Sequence, residues 1–107
     1  MIIDEHIESK LEERASKIRE MLPRGELLAQ LAEEASELSQ AALKLRRVLD
    51  GTNPTPVKLN VAIDDLIEEF ADTCLATQVC GLKKTDVQDV CLRKSARWLK
   101  RLREKEK

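Results

Sequence analysis

Aromatic residues are almost absent from this sequence of 107 residues, which has one Phe, one Trp and no Tyr. Proteins that hold single-stranded nucleic acids usually stack the bases on aromatic rings along a positively charged groove. This chain has few such rings, and its 19 basic and 20 acidic side chains give a net charge of −1. We therefore predict no nucleic-acid partner.

Long apolar runs are also missing. A membrane-spanning helix needs about 20 consecutive, mainly apolar residues, and charged residues interrupt this sequence well before that length. The opening residues, MIIDEHIESK, lack the basic start and the apolar segment of a secretory signal peptide. These features predict no membrane contact and a cytoplasmic location.

Cysteine and histidine are too few and too scattered for a zinc site. Cys74, Cys80 and Cys91 form no C-x-x-C pair, and His6 is the single histidine. We interpret the cysteines as small buried residues in a protein kept under reducing conditions.

The residues that are abundant favour helices. Hydrophobic residues make up 42% and charged residues 36% of the chain, against three Gly and three Pro. Apolar residues at helical spacing, broken near Pro23 and across residues 50–56, predict one all-α domain over residues 1–107, folded like a four-helix bundle. A core this small favours completion by a second copy, as a homodimer or a dimer of dimers. The predicted helices cover residues 4–22, 26–49, 59–80 and 85–104.

Acidic residues break the apolar pattern of the second predicted helix. Leu31, Leu38 and Leu45 form its apolar stripe, and Glu34 lies beside that stripe at about 100° per residue. Glu37 follows three residues later, so both carboxylates point to the same edge of the core.

The third predicted helix has an apolar face on each of two sides, which indicates burial on both. Asp72 falls within one of these faces and Glu69 lies beside it, three residues earlier. Acid pairs from two facing helices repel each other unless a cation compensates them, and Mg²⁺ prefers such oxygen ligands. The alternative is that these glutamates are ordinary solvated helix formers.

Basic residues lie near the apolar stripe of the fourth predicted helix. Lys94 and Arg101 are within about one side-chain step of its centre, and Arg97 is just outside. Cations placed there would neutralise the acids or hold phosphate oxygens. The alternative is that their side chains extend to the surface and pair with acids there.

Three stretches in this order resemble the all-α nucleoside-triphosphate pyrophosphohydrolase superfamily, and within it the MazG-like members. They contain E-E-x-x-E, then E-x-x-D, then a basic run. The linker between the two acidic motifs is longer than in the compact members of the superfamily. The stretches are LLAQLAEEASELSQAALKL (27–45), LIEEFADTCLATQVCGL (66–82) and KSARWLKRL (94–102).

The resemblance implies an oligomeric helical bundle that hydrolyses nucleoside triphosphates, either dNTPs or non-canonical NTPs, to a monophosphate and pyrophosphate. Such an enzyme would serve nucleotide-pool housekeeping with Mg²⁺, or alternatively Mn²⁺, as its cofactor. The roles expected from it are metal binding by Glu34, Glu37, Glu69 and Asp72, proton transfer by Glu33 or Glu68, and phosphate binding by Lys94, Arg97, Arg101 and Lys44.

Two other functions fit the same pattern. A related phosphoribosyl-ATP or dUTP pyrophosphohydrolase would share the acidic motifs and differ in its substrate. A non-catalytic helical dimer, acting as an adaptor, would instead bury Asp72 against a cation such as Lys94 or Arg97 and would bind no metal.

Overall fold

The computed structural model describes residues 4–106, and these residues form four α-helices and no strand. The predicted all-α class is confirmed, with every helix end within two residues of its predicted position. Met1 to Ile3 and Lys107, which the predicted domain includes, lie outside the described residues. The helices are α1 (Glu5–Met21), α2 (Arg24–Asp50), α3 (Leu59–Val79) and α4 (Lys84–Lys105).

The helix ends follow from their local sequence. The carboxylate of Asp4 accepts a hydrogen bond from the backbone N–H of His6 at 2.8 Å and so caps α1. Gly51 and Gly81 have φ angles of 72° and 84°, a left-handed conformation that glycine adopts without strain, and they end α2 and α3.

Helices α2 and α3 pack along most of their length and run antiparallel. The thiol of Cys80 lies 3.4 Å from the carbonyl oxygen of Leu27. At the other end of the pair, the ammonium group of Lys44 lies 3.8 Å from the carboxylate of Asp65. Because residue numbers rise along α2 as they fall along α3, the acidic motifs in the middle of the two helices lie side by side.

Helix α1 closes one end of this pair. Arg19 donates hydrogen bonds to the carbonyl oxygens of Gln78 and Val79, each at 3.0 Å, and so satisfies groups that the end of α3 leaves without helical partners. Ala15, Leu27 and Val79, one from each helix, form the buried cluster beneath it. The core therefore sits where α1, α2 and α3 meet.

Helix α4 does not pack along α2 or α3. None of its residues is buried, and the Trp98 side chain is 68% exposed. An ion pair between Lys84 and Glu8 links its first turn to α1. The radius of gyration is 17.2 Å, against about 13 Å for a compact domain of this length, because α4 extends away from the other helices.

Part of the burial expected from the sequence is absent from residues 4–106 of a single chain. Cys74 and Cys91 are exposed and Cys80 is half-buried, because neither α4 nor the outer side of α3 is covered. Ile67 and Phe70 lie on that outer side and are also exposed. One of the two apolar faces predicted for α3 is therefore open to solvent.

Candidate metal centre

The antiparallel packing of α2 and α3 brings three predicted metal ligands together. Glu34 and Glu37 are one helical turn apart on α2, and Glu69 faces them from α3. One carboxylate oxygen from each lies within 4.8 Å of the other two. We call these three residues the acid triad.

A threonine hydroxyl links the two helices at the triad. The Thr73 hydroxyl lies 2.9 Å from the carbonyl oxygen of Glu69 on its own helix and 3.2 Å from that of Glu34 on α2. This contact joins the backbones of two triad residues and leaves their carboxylates free to point at each other.

Two carboxylate oxygens of the triad are buried without compensation. Glu34 and Glu69 are half-buried, and the Oε2 atom of each is shielded from solvent and accepts no hydrogen bond from residues 4–106. Burying a charged oxygen without a partner costs free energy. The cluster therefore has unused acceptor capacity directed inwards.

The ionisation of both groups reflects this environment. Burial raises the pKa of Glu34 above its ordinary value of 4.5, and the negative charges of Glu37 and Asp72 raise the pKa further. A hydrogen bond of 2.7 Å from the amide of Gln30 acts in the opposite direction and lowers the pKa. Burial also raises the pKa of Glu69, followed by the negative charge of Glu37 beside it. Each acid resists ionisation because it is shielded from water and lies beside other carboxylates.

This donor set fits a hard divalent cation. Mg²⁺ takes oxygen ligands, and its charge would offset both the burial and the repulsion among the carboxylates. The fit rests on two buried oxygens without hydrogen-bond partners in Glu34 and Glu69.

Asp72, the fourth predicted ligand, lies next to the triad. Its charge acts on both Glu34 and Glu69, and it shares a cleft wall with Glu34. Its side chain is exposed, so it sits at the solvent side of the cluster.

The two predicted proton acceptors, Glu33 and Glu68, are exposed. Each immediately precedes a triad residue on its helix, and the charge of Glu33 contributes to the raised pKa of Glu34. Both are therefore in contact with solvent water on the borders of the cluster.

The predicted phosphate-binding cations are not gathered at the acids in one chain. Lys44 pairs with Asp65, about two turns after Glu37 on α2 and about one turn before Glu69 on α3. Lys94, Arg97 and Arg101 are exposed on α4, which does not pack along α2 or α3. Periodicity placed these cations near an apolar stripe, but that stripe has no partner helix within residues 4–106.

Sequence reasoning missed a cleft beside the triad. It has a volume of about 360 Å³ and lies between α1, α2 and α3. The hydrogen bond between Gln30 and Glu34, which both line the cleft, could have been predicted because the two residues are four positions apart on one helix. The cleft itself could not, because its shape depends on how α1 crosses the other helices. Its lining residues are Ile18, Leu22, Glu26, Leu27, Gln30, Glu34, Asp72, Leu75, Ala76 and Val79.

Comparison with family models, with curated proteins and with solved structures gives no match to this chain. None of the helices within residues 4–106 is long and apolar enough to cross a membrane. The resemblance of the motifs to the MazG-like pyrophosphohydrolases stays a prediction from the sequence.

Proposed function

We propose that this chain is a Mg²⁺-dependent nucleoside-triphosphate pyrophosphohydrolase that acts on dNTPs or non-canonical NTPs and works as a homo-oligomer in the cytoplasm. The observation that supports this most is the acid triad, whose three carboxylate oxygens lie within 4.8 Å of one another. Two members of the triad also have buried oxygens without a hydrogen-bond partner.

In this proposal Glu34, Glu37, Glu69 and Asp72 hold Mg²⁺, or alternatively Mn²⁺. When bound, the cation supplies charge that offsets the phosphate oxygens and polarises water. Glu33 or Glu68 accepts a proton from the attacking water, since both are exposed at the edge of the cluster. The bond hydrolysed is the one between the α and β phosphates, which releases a monophosphate and pyrophosphate.

The phosphate-binding role of Lys94, Arg97 and Arg101 then requires a second copy of the chain. Helix α4 combines a basic face with an exposed apolar face that includes Trp98 and Leu102. The acid triad and Asp72 offer the opposite charge. In an oligomer, α4 of one copy covers the open side of another and brings cations to its acids.

The adaptor function is less well supported. It requires Asp72 to be buried against Lys94 or Arg97 of a partner, and the exposure of Asp72 within one chain is compatible with both functions. It gives no role to the two buried oxygens without partners. The observation in its favour is the uncovered apolar face of α4, which an oligomeric enzyme would use as well.

The test is pyrophosphate release from a panel of canonical and damaged dNTPs and NTPs with Mg²⁺, together with the shift of the thermal midpoint caused by Mn²⁺. We expect turnover by the wild type and its loss in Glu37→Gln and Asp72→Asn. Glu20→Gln, at an exposed acid on α1, is the matched control. Unchanged turnover in the first two variants, or no shift with Mn²⁺, would contradict the proposal.

A further inference from the structure

We infer that the cleft between α1, α2 and α3 receives the sugar and base of the nucleotide whose phosphates bind at the acid triad. This inference rests on the proposed function and adds a binding site for the uncharged end of the substrate. It follows from the walls of the cleft, from its connection to the triad and from the polar groups at its far end.

The walls of the cleft are mainly apolar. Leu27 and Val79, each 6% exposed, close its floor, and Leu22, just after α1, and Leu75 of α3 form more open walls. Its volume of about 360 Å³ is within the range of small-molecule sites, about 300–1,000 Å³. A flat ring and a sugar fit this description better than a hydrated phosphate chain does.

The cleft and the triad are parts of one groove. Glu34 belongs to the triad and also lines the cleft, and Asp72 lines it from α3. A ligand with a phosphate chain held by cations at these carboxylates therefore continues directly into the apolar cleft. Nucleoside triphosphates have this division, with charge at one end and an aromatic ring at the other.

The far end of the cleft fixes the direction of the ligand. Glu26 lines it eight residues before Glu34, which is about 12 Å along the helix. Its carboxylate repels phosphates and can accept a hydrogen bond from the edge of a base. Gln30, between the two, donates one N–H to Glu34 and keeps its carbonyl oxygen and second N–H for the ligand.

A bulky substitution at the mouth of the cleft tests this inference. Leu22 is 44% exposed, so Leu22→Trp fills the cleft from an open position that does not support the core. Met21→Trp is the matched control, since Met21 is 79% exposed and does not line the cleft. We expect Leu22→Trp to raise the KM for a nucleoside triphosphate about tenfold or more, and Met21→Trp to leave it unchanged.

Binding of Mn²⁺ and of inorganic tripolyphosphate separates the two proposals. Leu22→Trp should bind Mn²⁺ and tripolyphosphate with the same affinities as the wild type, because neither ligand uses the cleft. If the wild type hydrolyses nucleotides and Leu22→Trp has an unchanged KM, the cleft inference is wrong and the proposed function stands. If the wild type neither binds Mn²⁺ nor releases pyrophosphate, both are wrong.

Methyl NMR spectra of the wild type give a second readout that needs no variant. Adding a non-hydrolysable nucleotide with Mg²⁺ should shift the methyl signals of Leu27, Leu75 and Val79. Inorganic tripolyphosphate with Mg²⁺ should leave these signals in place. Equal shifts with both ligands, or no shift with the nucleotide, would overturn the inference.

Discussion

The hydroxyl of Thr73 lies 3.2 Å from the backbone carbonyl oxygen of Glu34, across the contact between α3 and α2. The same hydroxyl lies 2.9 Å from the carbonyl oxygen of Glu69. Glu34 and Glu69 are the two residues with a buried carboxylate oxygen that has no partner. One uncharged side chain thus contacts the backbones of both helices where their acids meet.

Replacing Thr73 by Val should therefore weaken both the fold and the candidate metal centre. Loss of the hydroxyl should lower the free energy of unfolding by about 1 kcal/mol, as for a typical intramolecular hydrogen bond. Affinity for Mn²⁺ should fall by about tenfold, because groups that orient metal ligands contribute on this scale. Chemical denaturation and calorimetric titration measure the two effects.

The matched control is Thr77→Val, one turn further along α3. The Thr77 hydroxyl donates to the carbonyl oxygen of Cys74 on the same helix, so its hydrogen bond does not join α3 to α2. It should leave Mn²⁺ affinity unchanged. Equal losses of affinity in the two variants would show that Thr73 does not position the acids.

The raised pKa values of Glu34 and Glu69 predict how stability without metal depends on pH. Both groups bind protons more tightly in the folded state than in the unfolded state, where the pKa is near 4.5. Their stabilising contribution is therefore complete below that value and is lost as pH rises through the folded-state pKa. Glu12 acts in the opposite direction, because its hydrogen bond with Gln78 lowers its pKa.

Glu34→Gln isolates this effect from the other carboxylates. The variant should unfold at nearly the same temperature as the wild type at about pH 4 and become the more stable of the two towards neutral pH. Saturating Mg²⁺ should reverse the difference at neutral pH, since only the wild type keeps the full ligand set. A difference that does not change with pH would show that Glu34 ionises normally in the folded protein.

The acid triad was predictable because its geometry is mostly local. An i, i+3 spacing puts Glu34 and Glu37 on one side of any helix. Their meeting with Glu69 follows from antiparallel packing of two consecutive helices, joined by the loop of residues 51–58. The environment of Arg101 was not predictable, because a helical stripe shows which side needs a partner and does not identify that partner. The cleft depends on the crossing of α1, which Arg19 fixes through backbone carbonyls that no sequence pattern reveals.

The exposed apolar face of α4 leads to a prediction about assembly. The Trp98 side chain on this face is 68% exposed. Packing against a second copy would remove the face from water and so stabilise the assembly. Light scattering at roughly tens of micromolar protein should give the mass of a dimer or a dimer of dimers. A monomeric mass under these conditions would contradict the prediction.

Trp98→Glu tests whether α4 forms the interface. Burying a carboxylate among apolar side chains is costly, so this variant should dissociate at concentrations where the wild type is assembled. Lys100→Gln changes the net charge by the same amount on the opposite side of α4 and should remain assembled. Dissociation of both variants would indicate a general charge effect.

The cations of α4 give the last prediction. If Lys94 and Arg101 hold phosphates, replacing either by Ala should lower kcat/KM by about ten- to a hundredfold, the effect of losing a charge-assisted hydrogen bond. Mn²⁺ affinity and the thermal midpoint should not change, because both side chains are exposed and the carboxylates are untouched. Arg103→Ala, on another side of the same helix, should keep full activity. A large fall in stability with undiminished turnover would instead assign the two cations to neutralising acids.

Mixing two defective variants shows whether the cations act across the interface. Under the proposed function, Asp72→Asn would lack a metal ligand and Arg101→Ala a phosphate ligand, so the first alone should be inactive and the second about ten- to a hundredfold less active. If acids and cations come from different copies, a mixed dimer contains one site with neither change. Random exchange should then restore about a quarter of wild-type activity, since half of the dimers are mixed and each has one intact site of two. If both groups come from the same chain, every site in the mixture carries one of the changes and activity should not return.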